Sequence, residues 1–145
     1  DTLYSRLAEM GGELVVEAAA RIEAGTAGRV PQDQEKATFA PMLSKELSPI
    51  DWTRPAREIH NQIRGLMPWP VASTGVISGE TMKIYRSALP GQSTGAAPGK
   101  IVAAGKQGID VVCGDGQVLR ILELQPPGKK RMAAAAYLSG NPIQV

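Results

Sequence analysis

The sequence predicts a mainly β fold, a small five-stranded barrel preceded by an amphipathic helix, an extended linker and a second helix. Three observations carry that prediction. Apolar residues recur at helical spacing before residue 25, a stretch with no sustained period follows, and short β-type runs alternate with glycine turns between residues 71 and 124.

In the first segment Leu3, Leu7, Met10, Leu14, Ala18 and Ile22 recur at intervals of three and four, which lines one face of a helix from about Leu3 to Ala24, closed by Gly25. Asp1 or Thr2 can cap its start. Gly11 and Gly12 each cost about 1 kcal/mol inside a helix and predict a bend or break there. A single amphipathic helix has nothing in this stretch to pack against. Residues 1–25 therefore read as the last helix of a larger domain that begins upstream of residue 1.

Residues 26–53 hold Pro31, Pro41 and Pro49 among polar side chains and read as an extended connector. Thr53 is placed to cap a second helix, predicted from Arg54 to about Leu66, with Ile59, Ile63 and Leu66 as its apolar stripe. Five strands are then expected at roughly 71–77, 81–89, 100–104, 109–113 and 117–124. Their links mix tight glycine turns with one long loop, Pro90 to Gly99, expected to be mobile. That mixture suggests a barrel of the oligonucleotide-binding (OB) kind over residues 54–145. A short helix near Ala133 to Leu138 follows, with Met132, Tyr137 and Leu138 facing the core.

Composition narrows the class. At 145 residues and 43% hydrophobic content the chain supports one sizeable core plus an appendage. No run approaches the roughly 18 apolar residues of a membrane span, and "DTLYSRLAEM" lacks the pattern of a signal peptide, so a cytoplasmic protein with no membrane partner is expected. Cys113 is the only cysteine, inside the apolar "IDVVCG", and reads as a buried, inert thiol. No metal site is expected. The net charge of +2 conceals an asymmetry. Residues 1–53 carry five cations against nine anions, and residues 54–145 carry eleven against five. The second part suits a polyanion such as nucleic acid.

The segments "RLAEMGGELVVEAAARIEAGT", "QDQEKATFAPMLSKELSPIDW", "PAREIHNQIRGLMPWPVA", "APGKIV", "GIDVVCGDG" and "LQPPGKKRM" occur in this order. In that order they resemble the methionyl-tRNA formyltransferases. The middle part resembles other formyltransferases that use 10-formyltetrahydrofolate as well, and "LQPPGKK" favours the tRNA enzymes. The resemblance implies a Rossmann-like catalytic domain outside this chain, a linker, and a C-terminal OB-like barrel that helps to hold initiator tRNA. The family's catalytic Asn, His and Asp belong to the catalytic domain, so this chain is expected to carry no catalytic residue and no cofactor. 10-Formyltetrahydrofolate is then a co-substrate of the parent enzyme.

An A-form acceptor stem hides its base edges, so a helper domain should hold the RNA backbone through Lys and Arg. The best candidates are Lys129, Lys130 and Arg131, just after the last strand. Weaker ones are Lys83 and Arg86 on the second strand and Lys45 in the linker. Arg57 and Arg64, seven apart on one helix, extend the patch. An aromatic content of 4% offers few platforms for stacking unpaired bases. His60 reads as a helix-packing residue, Asp51 as a carboxylate near the helix start where it suits the helix dipole, Trp52 as an apolar anchor of the linker, and Trp69 as packing where the helix meets the barrel, with base stacking as the alternative. The glycines of "GDG" precede no helix and make no phosphate cradle. Two other readings stay open: the same part of a related folate-dependent formyltransferase or hydrolase acting on a non-RNA substrate, and a purely structural module.

Overall fold

α1 runs from Thr2 to Glu23 in the computed structural model, which describes residues 2–145. It passes through Gly11 and Gly12 as one helix, so the break expected there does not occur. Its end is built as expected. Gly25 adopts φ +69°, and the N–H groups of Thr26 and Ala27 both return to the Arg21 carbonyl at 2.9 and 3.1 Å. Asp1, one of the two expected caps, lies outside the described residues. Leu3, Leu7, Met10, Leu14 and Ile22 are all more than half exposed, so the apolar stripe of α1 is not buried within its own unit.

The chain divides into two units, Asp1–Ala40 and Pro41–Val145. The second holds α2 (Ala56–Gly65), β1 (Ala72–Thr74), β2 (Met82–Ala88), β3 (Ile101–Gly105), β4 (Gly108–Val112), β5 (Val118–Gln125), β6 (Met132–Ala133) and α3 (Ala134–Gly140). All pairings are antiparallel, in the order β1-β2-β5-β4-β3, with β6 added to β5. The class is mainly β with helices, as expected, but two details differ. A sixth strand is present, and β1 does not pair with β3, so the hydrogen-bonded path is an open sheet rather than a closed barrel. β1 has only three residues, and its free edge is occupied by the chain at Ser48–Ile50, which exchanges backbone bonds of 2.7 and 2.8 Å with Ser73.

The core lies between the sheet and the helices. Ile59 and Ile63 of α2 are fully buried with Met82, Ile84, Ile109, Val111, Leu119, Ile121 and Leu124 of the strands. Each such aliphatic side chain contributes about 1.5–3 kcal/mol through removal from water. Ala134 and Tyr137 of α3 complete the cluster. Residues 41–53, within the expected connector, take part as well. Ile50 and Trp52 are buried, and the Trp52 indole donates to Thr74 Oγ1 at 2.9 Å.

The start of α2 is capped from a distance. Thr53 turns its hydroxyl and its N–H to Asp51 Oδ1, at 2.6 and 3.0 Å, and does not cap the helix. The carboxylate of Asp115, in the β4–β5 turn, accepts the Ala56 N–H at 3.2 Å instead. The same turn brings Gly114 against the backbone, its N–H donating to the Arg54 carbonyl at 2.9 Å. "GDG" is thus a clasp on the helix. The long loop expected to be mobile is tied down too, with Thr94 N–H on the Gly116 carbonyl and Val118 N–H on the Gln92 carbonyl, at 2.8 and 2.9 Å.

Candidate nucleic-acid interface

The alternation of β2 puts Met82 and Ile84 into the core and leaves Lys83 exposed, and the register irregularity between Ile84 and Ser87 leaves Arg86 exposed as well. β5 lies beside it, with Gln125 opposite Lys83 and Glu123 opposite Arg86. After β5, Pro126 cannot continue the ladder and Gly128 adopts φ +66°, so the chain turns and returns through Lys129, Lys130 and Arg131 into β6. Gln125 fastens this turn. Its amide N–H donates to the Lys129 carbonyl at 2.8 Å, while its Oε1 accepts the Tyr85 hydroxyl at 2.7 Å.

Five predicted cations therefore share one region: Lys83, Arg86, Lys129, Lys130 and Arg131. They are not equivalent. Arg131 donates from Nε to Glu123 Oε2 at 2.8 Å, forms a second bond from Nη2 to the same oxygen, and lies over the Tyr85 ring at 4.6 Å. Arg86 reaches the other oxygen of Glu123 at 3.3 Å. The Arg131 guanidinium, and after it that of Arg86, hold the Glu123 carboxyl below its usual range. Two arginines thus flank one carboxylate, which cancels part of their charge. Lys129 and Lys130 are exposed and form no ion pair among the described residues.

Arg57 and Arg64 form a second set on the exposed face of α2, two helical turns apart. His60 lies between them, half-buried, with Nδ1 2.8 Å from Ser87 Oγ of β2. Its packing role is as expected, with the added hydrogen bond. Lys45 belongs to neither set. It lies in a short 3-10 turn, Lys45–Leu47, held by Gln62, whose amide donates to the Leu47 and Pro49 carbonyls at 2.8 and 3.1 Å. Gln62 and Arg64 are two apart and point to different sides of α2.

Sequence reasoning missed Lys106, in the β3–β4 turn, which lines one concavity with Arg86, Leu122, Glu123 and Ala133. A hairpin tip that carries Lys106-Gln107 was the available signal. Trp69 is 51% exposed rather than packed at the helix end. Cys113 is buried as expected, and burial pushes its thiol up to about 11. Among the described residues no group of His, Cys, Asp and Glu is arranged to hold a metal ion, and no helix is long and apolar enough to cross a membrane.

Residues 42–142 match the family described as "Formyl transferase, C-terminal domain". The chain belongs to this family. Among curated relatives of the formyl transferase C-terminal domain, a methionyl-tRNA formyltransferase of Moorella thermoacetica is 46% identical over 141 residues, 97% of this chain and 45% of that enzyme. Those of Trichlorobacter lovleyi and Bacillus velezensis are 44% and 41% identical, over 98% and 99% of this chain and 44% and 45% of the relatives. The chain thus spans less than half the length of the curated relatives it matches. Among solved structures, HypX from Aquifex aeolicus in complex with tetrahydrofolic acid aligns with a TM-score of 0.59 at 20% identity, over 87% of this chain and 22% of that one. That likeness supports the fold of the family.

Proposed function

We propose that this chain is the C-terminal, tRNA-holding part of a methionyl-tRNA formyltransferase. That enzyme moves a formyl group from 10-formyltetrahydrofolate to the amino group of methionyl initiator tRNA, in the cytoplasm, at the start of protein synthesis. The observation that carries the reading is the 41–46% identity to enzymes of that name over 97–99% of the chain. HypX, at 20% identity, shares the fold only.

The chain's own contribution is electrostatic. Lys129 and Lys130, with no ion-pair partner among the described residues and at the tip of a turn that Gln125 holds, present two cations to an RNA backbone. Arg86 and Arg131 frame the same surface, and Arg57 and Arg64 extend it. Phosphate contacts position the RNA without reading its bases. Catalysis belongs to a separate domain that binds the folate. The apolar stripe of α1 is the surface by which residues 1–25 join that domain, with residues 26–53 as the linker and residues 54–145 as the OB-like domain.

Binding of initiator tRNA to the 145-residue chain, followed by gel mobility, tests the reading. Binding that weakens steeply with salt is the expected result. No binding of tRNA at low salt would overturn it in favour of a structural brace, or of a relative acting on a non-RNA substrate. The engagement of Arg86 and Arg131 with Glu123 is what such a brace would use.

A further inference from the structure

His60 is the only imidazole of the chain. On α2 it follows Arg57 by three residues and precedes Arg64 by four, the two spacings that bring helical side chains together. The buried face of the helix carries Ala56, Ile59 and Ile63, and the exposed face carries Arg57, Asn61 and Arg64. His60 stands on the border between the two faces. One ring nitrogen is engaged within the fold, by Ser87 Oγ at 2.8 Å. A serine hydroxyl can donate to a neutral imidazole or accept from a protonated one, so this bond survives a change of protonation state.

The charges around it are one-sided. Arg57 and Arg64 form no ion pair among the described residues. The other charges of α2 and its approach, Arg54 and Glu58, pair with each other at 2.7 Å. On β2, which packs against α2, Arg86 is directed to Glu123 of β5, and Lys83 is a further cation. On β5, Arg120 is bound to Asp110 and Glu123 to Arg131. Two further carboxylates lie near the start of α2, and both are engaged by other groups: Asp115 accepts the Ala56 and Gln117 N–H groups, and Asp51 accepts from Thr53. Among the described residues no carboxylate forms an ion pair with Arg57, Arg64 or His60. Burial first, and then Arg64 and Arg57, hold the imidazole below its usual range, which favours the neutral ring.

We propose that Arg57, His60 and Arg64 form a proton-linked phosphate site, in which an RNA backbone phosphate held by the two arginines draws a proton onto His60. The proposal rests on the RNA-holding reading and assigns a regulation to it. A phosphate there offsets the repulsion of the arginines and adds an attraction of its own, and both favour the imidazolium. By reciprocity, if RNA raises the proton affinity of His60, protons raise the affinity for RNA. The grip of this helix then tightens as pH falls through the imidazole range.

A single imidazole makes the test direct. Its ring-proton NMR signals are followed from about pH 5 to about pH 8, without and with a short A-form RNA hairpin, on the 145-residue chain and on Arg57→Ala/Arg64→Ala. Both arginines are exposed, so the double variant should keep its fold. RNA should raise the His60 midpoint by about one pH unit, with about tenfold tighter binding of the protonated form. The double variant should bind RNA more weakly and show no shift of the midpoint. RNA that binds while the midpoint stays fixed overturns the proton linkage and leaves the RNA-holding reading intact. Failure to bind the hairpin at any pH overturns that reading, and the linkage with it.

Discussion

Asp110 of β4 and Arg120 of β5 lie directly opposite each other across the sheet and form a two-pronged ion pair, Nε to Oδ1 at 2.7 Å and Nη2 to Oδ2 at 2.8 Å. Gln107 accepts from the remaining Nη1 at 2.7 Å. The side chains are only 4% and 18% exposed, so the pair is largely withdrawn from water. Arg120 therefore belongs to the fold and is not available to a polyanion, although it counts among the eleven cations of residues 54–145. Asp110→Ala leaves the guanidinium without its partner and should cost about 3 kcal/mol. Urea unfolding of Asp110→Ala, Arg120→Ala and the double variant checks this, and the double variant should lose less than the sum of the single ones.

Gly114 should be the glycine least tolerant of a side chain. A Cβ there would lie 1.6 Å from the Thr53 carbonyl oxygen, a backbone atom that cannot move without opening the start of α2. Gly114→Ala should destabilise by at least about 3 kcal/mol, the upper range for forcing volume into a filled site. Gly11→Ala is the contrast, because nothing lies within 4 Å of its Cβ position in α1. That change should raise helix content, by the roughly 1 kcal/mol that separates alanine from glycine in a helix. Circular dichroism of the two variants reads both outcomes.

These two examples show where local sequence signals stop. The apolar spacing of Ile59 and Ile63 announces α2, and the glycine-bounded runs announce five of the six strands. β6 is two residues long, formed only because Glu123 and Leu124 are there to pair with Ala133 and Met132, and no periodicity fits in two residues. The cap on α2 comes from Asp115, 59 residues away, whereas the local pattern pointed to Thr53. Whether the sheet closes depends on what its edges meet, and β1 meets residues 48–50. The cations of the candidate interface were legible as charge. Which of them are engaged by Glu123 and Tyr85 was not, because those partners come from other strands.

Stability should depend on pH through His60. Its folded-state pKa lies below the unfolded value, so in the window between the two the unfolded chain binds more protons. Stability is then complete above the unfolded value of about 6.5 and declines as pH falls through the window. Urea midpoints measured from pH 7.5 down to pH 5 should fall more steeply for the unaltered chain than for His60→Gln, which has nothing to titrate there. Equal slopes would show that other groups set the acid sensitivity.

The Lys129-Lys130-Arg131 run should divide into two kinds of residue when its members are changed separately. Lys129 and Lys130 are exposed and bind no carboxylate among the described residues, so Lys129→Ala/Lys130→Ala should leave the urea midpoint almost unchanged. If both contact phosphates, that change should flatten the dependence of log affinity for initiator tRNA on log salt by about 1.5, at roughly 0.7–0.9 for each contact. The loss should be similar on unrelated tRNAs, because phosphates carry no sequence information. Arg131→Ala removes a guanidinium that bridges Glu123 and the Tyr85 ring. It should lower stability by up to about 1 kcal/mol, the usual range for a partly exposed pair with a cation–π contact. Its effect on the salt slope should be smaller than that of either lysine, since Glu123 already neutralises part of its charge. A slope that stays unchanged in the lysine variant, with equal affinity, would make the turn an ordinary solvated one and move the RNA contact to the Arg57–Arg64 face of α2.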